Sequence, residues 1–147
     1  MKLKFALVLG VLAVAFAGVA IGADDPIKER RDIMKKNGAS AKIAVEMIKG
    51  TTPYDATAAA AAMKTLEEDL TVFPTLFPEG SDQGQTNASP DIWKNMDDFK
   101  AHAAKLVTDA TAAEAAAAQG LDSFKTAFDA VGADCGSCHE KYRLKTE

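Results

Sequence analysis

Cysteine and histidine are scarce in this 147-residue chain, two of each, and the shortage is the first constraint. A structural zinc site takes four ligands and would need all of them, yet His102 lies more than thirty residues upstream of the other three. Basic residues are the minority charge, 17 Lys and Arg against 21 Asp and Glu, which argues against a nucleic-acid partner. No paired carboxylates and no nucleophile–base constellation stand out, so the chain is read as a non-enzyme. Runs of β-branched residues and turn-separated alternation are missing as well, and with abundant alanine this predicts an all-helical fold.

Only one long apolar run is present. It extends from Phe5 to Ile21, behind the basic start Met1-Lys2-Leu3-Lys4 and ahead of Gly22 and Ala23. That is the layout of a secretory signal peptide, with cleavage after Gly22 or Ala23. The competing reading is an uncleaved anchor, for which about 17 residues is a short span. Trimming at 23 removes two lysines and no acid, leaving 15 basic and 21 acidic residues in a single domain of residues 24–147. The mature chain is then not an integral membrane protein.

The scarce residues are concentrated in one place. Cys135-Gly136-Ser137-Cys138-His139 has the spacing of a covalent haem attachment site. On a helix, residues three and four apart share a face, so both thiols meet one porphyrin's vinyl groups and the imidazole reaches the iron from the same side. His139 is then the proximal axial ligand. A thioredoxin-type redox pair also uses C-x-x-C but expects a βαβ setting. A plain disulfide is the remaining alternative in an exported chain.

Four helical segments are expected. The first runs from about Pro26 to Ile48, with Ile27, Met34, Ala41 and Ile48 as its seam. The second starts at Thr52-Pro53 with Thr52 as cap, buries Met63, Leu66, Leu70 and Phe73, and stops at Pro74. A long connection follows to Pro90, with Phe73, Leu76 and Phe77 tucked over the core and the remainder mobile. The third runs unbroken from Ser89-Pro90 to Gly120 along Ile92, Met96, Phe99, Ala103, Leu106, Ala110, Ala113 and Ala117. The fourth starts at an Asp122 cap, and its stripe of Phe124, Phe128, Val131, Cys135, Cys138 and Tyr142 carries the motif. Short first and last joints make this an antiparallel, up-down-up-down four-helix bundle with covalently bound haem in its core.

In these features the chain resembles the class II cytochromes c, the cytochrome c′ family. The resemblance covers nearly the whole mature chain. It rests on the C-terminal C-x-x-C-H with Arg143 four residues on, on Arg30 and Met34 in an Arg-x-x-x-Met pattern, and on Ser89-Pro90-Asp91-Ile92-Trp93. It implies one covalent haem c with its iron, a distal face formed by the first helix, and a role there for Met34. If Met34 ligates iron, the protein is a low-spin periplasmic electron carrier with His139–Met34 ligation, serving redox partner proteins. If it is only core packing, the protein is a high-spin, five-coordinate binder of NO or CO. The resemblance also places Arg30 and Arg143 at the propionates or pocket wall and allows a homodimer through the first two helices; Trp93 is read as packing near the haem edge or capping the bundle core. An acidic surface suits docking on basic patches of a partner.

Overall fold

The computed structural model describes residues 25–145; the expected leader, residues 1–23, lies outside them. Five α-helices follow in order: α1 (Pro26–Ile48), α2 (Ala56–Val72), α3 (Asp91–Lys94), α4 (Met96–Ala117) and α5 (Leu121–Tyr142). A 3-10 turn, Phe73–Leu76, continues directly from α2. The four long helices form an antiparallel bundle in which α1 packs on α2, α2 on α4 and α4 on α5. Three side-chain links fix the directions. Lys36 of α1 reaches Asp69 near the end of α2 at 2.8 Å. The Tyr54 hydroxyl ahead of α2 donates to the Ala117 carbonyl at the end of α4, at 2.6 Å. At the start of α4, Asp98 accepts from Tyr142, the last residue of α5.

The helix ends depart from sequence expectation in instructive ways. α1 begins as expected at Pro26, with the Asp25 carboxylate accepting from the Ile27 and Lys28 amides. α2 is capped by Asp55 rather than Thr52, because Asp55 is the residue whose carboxylate reaches the Ala58 amide, at 3.0 Å. The third segment is not continuous. Asn95 breaks it at φ −131°, ψ 43°, its backbone and side-chain amides both donating to the Asp91 carbonyl, each at 3.0 Å. α5 is entered through Gly120 at φ 102°, so Asp122 falls inside its first turn instead of capping it.

Two devices set the core. Alanines dominate where α2 meets α4: Ala59, Ala62, Ala103, Ala110, Ala113 and Ala117 are each no more than 4 % exposed. Small side chains let the two backbones come close and forfeit no rotamer freedom. At the end holding the long connection, aromatic rings interlock edge to face, Phe77 with Phe99 at 4.7 Å and Phe99 with Tyr142 at 5.2 Å. Phe73 and Phe77 are buried here and Leu76 is half-buried, as the sequence predicts. The seam of α1 is rotated from expectation: Arg30, Asn37, Ser40, Ala44 and Met47 are buried, while Ile27, Met34, Ala41 and Ile48 sit half-buried on its flank.

Candidate functional site

α5 carries the chemistry on its last turns. Phe124, Phe128, Val131 and Tyr142 are buried, and on the same stripe Cys135 and Cys138 are half-buried, unpaired thiols. The end of this helix is held against the long connection by backbone bonds, the Ser89 amide to the Tyr142 carbonyl at 2.9 Å and the Leu144 amide to the Asn87 carbonyl at 2.8 Å. From the other side, Lys105 of α4 grips the Asp134 carboxylate immediately before the first cysteine, at 2.8 and 2.9 Å.

Those pairings also orient the helices about their axes. Lys36 marks the flank of α1 turned to α2, and Asp134 marks the flank of α5 turned to α4. At 3.6 residues per turn, Met34 and His139 lie on the other flanks of their helices. Those flanks border the α1–α5 side, where the two helices meet at few points. Gly38, four residues after Met34, and Gly132, seven before His139, are exposed there, and a Cβ added at either meets nothing within 4 Å.

The electrostatics suit a ring nitrogen that binds metal and thiols that stay protonated. Desolvation, and then the Arg143 charge, hold His139 below the ordinary histidine range, favouring its neutral form. Burial pushes the Cys135 thiol up. It pushes Cys138 up to about 11, with Cys135, Asp134 and Asp98 adding to the shift. Among the described residues no group of three or more His, Cys, Asp or Glu side chains could hold a bare metal ion. Two half-buried thiols and the exposed His139 imidazole, gathered on one helix end, fit a covalently attached haem instead.

The other expected site residues divide. Arg143 is exposed and closes α5, its backbone bridging to Ala88. Arg30 is 4 % exposed and turned into the long connection, donating to the Leu76 carbonyl at 3.3 Å, the Ser81 hydroxyl at 3.1 Å and the Ser81 carbonyl at 2.7 Å. Its guanidinium carbon stands 4.4 Å above Phe77 and 5.8 Å from Trp93. Trp93 in turn donates its indole N–H to the Pro78 carbonyl. Arg30 and Trp93 thus form one cluster that shapes the wall at this end of the bundle. His102 packs edge-on against Tyr142 at 5.7 Å, with its Nε2 3.5 Å from the Asp98 carboxylate. Nor does the apolar groove of about 740 Å3 between α2, the 3-10 turn and α4 belong to the site, since none of its lining comes from α1 or α5.

Sequence reasoning missed Asn37, Lys105 and Ser81. A polar residue three positions beyond Met34 was the legible signal for Asn37. The partners of Lys105 and Ser81 are 29 and 51 residues away, and no local pattern announces them.

Comparison with known proteins agrees with this geometry. The family model described as Cytochrome C' matches residues 25–143. Cytochrome c-556 of Agrobacterium fabrum is 41 % identical over 145 residues, covering 99 % of this chain and 98 % of that protein. The solved structure of cytochrome c′ from Rhodopseudomonas palustris superposes with a TM-score of 0.81 at 32 % identity, covering 85 % of this chain and all of that one. A nitric oxide complex of a mutant cytochrome c prime from Alcaligenes xylosoxidans gives 0.75 at 30 % identity, covering 83 % of this chain and 95 % of that one. The chain therefore belongs to the cytochrome c′ family, the class II cytochromes c, and is a single-haem c-type cytochrome whose cofactor is a covalently attached haem with its iron.

Proposed function

We propose that the protein is a periplasmic electron carrier with His139 and Met34 as the axial ligands of one haem c. The observation that carries this reading is the position of Met34, half-buried on the α1 flank that borders α5, on the side to which the His139 flank also turns. Cys135 and Cys138 hold the porphyrin by thioether bonds, each S–H adding across one vinyl group. The bound haem supplies a one-electron iron couple. The neutral His139 imidazole and the Met34 thioether would hold the iron, and thioether ligation favours the ferrous state. Arg30 and Trp93, clustered through Phe77, would shape the pocket wall, and Arg143, exposed at the end of α5, would pair with a propionate.

Residues 1–23 are assigned as the cleaved leader and 24–147 as the haem domain. N-terminal sequencing of the native protein should begin at Ala23 or Asp24, and an intact Met1 would favour an anchor. Among the described residues no helix is long and apolar enough to cross a membrane. Redox partner proteins in the periplasm meet an acidic chain, and α1 with α2 is the face on which a homodimer forms.

A second reading has its own support. Solved neighbours are cytochromes c′, one of them a nitric oxide complex, so a high-spin, five-coordinate binder of NO or CO fits the same bundle. The absorption spectrum of the oxidised and reduced protein separates the two. A low-spin spectrum supports His139–Met34 ligation; a high-spin spectrum transfers the assignment to gas binding.

A further inference from the structure

Asn37 is 7 % exposed, and neither its Nδ2 nor its Oδ1 finds a hydrogen-bond partner among the described residues. An unpaired amide at such a position is destabilising, whereas leucine or isoleucine there would add to the core. The neighbouring helix offers no relief. Asp69 of α2 is also buried, but its Oδ1 is taken by Lys36 and its Oδ2 stays unpaired, so the two side chains do not satisfy each other. Asn37 follows Met34 by one turn on the same side of α1, and residues at i and i+3 are surface neighbours. The missing partner therefore belongs to the space that Met34 borders.

We propose that Asn37 is the hydrogen-bond donor of the sixth-ligand pocket: its Nδ2–H meets the outer atom of a small diatomic ligand held on the Met34 side of the haem iron. The inference rests on the reading above that the haem lies between α1 and α5. Polarity and donors on this side of a haem decide which small ligands are held. A pocket lined only by Met34 and aliphatic neighbours is indifferent to the ligand's outer atom. An amide donor favours ligands that accumulate negative charge there, and it polarises the bound ligand in proportion. Asn37 thereby sets selectivity among ligands that displace or replace Met34.

The test uses the haem-loaded protein. Met34→Leu opens the sixth position, and the reduced protein under carbon monoxide gives a C–O stretching band in the infrared. Met34→Leu is compared with Met34→Leu/Asn37→Leu and Met34→Leu/Asn37→Ala. A donor at the outer atom lowers the C–O frequency, so both double variants should shift the band upward. A merely structural asparagine leaves it in place, and an unmoved band overturns the proposal. Failure of Met34 ligation is read separately: the unsubstituted protein is then already high-spin and binds carbon monoxide directly. The comparison in that case is wild type against Asn37→Leu, judged by the same shift.

Discussion

The Lys105 ammonium of α4 spans both carboxylate oxygens of Asp134 on α5, at 2.8 and 2.9 Å, and also reaches Asp109 at 2.7 Å. Asp134 is 8 % exposed and directly precedes Cys135, so this contact sets the rotation of α5 from which the thiols project. Lys105→Met leaves the carboxylate buried without its partner and should lower the thermal midpoint of the holoprotein. Asp134→Leu on top of it should recover part of the loss, because an unpaired buried charge costs more than an apolar replacement. Thermal unfolding of the two single variants and the double variant gives the coupling directly. Additive losses would mean that the pair does not act as one unit.

Covalent attachment depends on two separate bonds. In a host competent for cytochrome c maturation, Cys135→Ser and Cys138→Ser should each retain haem through the remaining thioether. The double substitution should give a chain whose haem is lost on acid-acetone extraction. Intact mass before and after extraction reads the result.

Met34→Leu keeps a similar volume and hydrophobicity. The bundle should survive, while the oxidised spectrum turns high-spin, the reduction potential falls and carbon monoxide binds readily. An unchanged spectrum would reduce Met34 to a packing residue.

Arg30 ties α1 to the long connection through Ser81. Ser81→Ala removes the hydroxyl that accepts from Arg30 and donates to the Pro78 carbonyl, leaves the two carbonyl bonds from Arg30, and should cost about 2 kcal/mol, the value of two hydrogen bonds. Arg30→Met loses all three Arg30 bonds and the contact with Phe77, and should cost more in denaturant unfolding. A smaller cost for Arg30→Met than for Ser81→Ala would mean that the carbonyl bonds and the Phe77 contact contribute nothing.

Asp98 carries a pH dependence. Its hydrogen bonds from Lys141, and then from Tyr142, hold its carboxyl below the ordinary carboxylate range. A depressed folded pKa means that the contribution is fully present above the unfolded value and is lost as pH falls through the folded one. The tie between α4 and the end of α5 should therefore persist at neutral pH and weaken only in acid, below the usual carboxylate range. Asp98→Asn should flatten the acid limb of the stability curve, measured as thermal midpoint against pH.

The four long helices, their antiparallel order and the attachment motif were legible because each rests on short-range pattern: 3-4 spacing, Pro26 at a helix start, C-x-x-C-H. The breaks were less so. Asn95 lies between Ile92 and Met96 of an unbroken apolar stripe, and the stripe gives no sign of the non-helical backbone it adopts there. The rotation of α1 escaped for a related reason. Arg30, Asn37 and Ser40 are polar, so hydrophobicity alone moved the seam toward Met34 and Ala41. Arg30 is buried by its partners on the long connection, 46 and 51 residues away, which no local pattern announces.

The alanine contact of α2 with α4 and the thin contact of α1 with α5 together make the bundle resemble a book bound along one edge. The spine is rich in alanine, whose side chain has no rotamers to lose. The opposite edge is made of half-buried flanks. Under the haem placement proposed above, a flat group lies along that edge while the spine keeps the helices in register, and the cost of holding it falls on one side of the molecule.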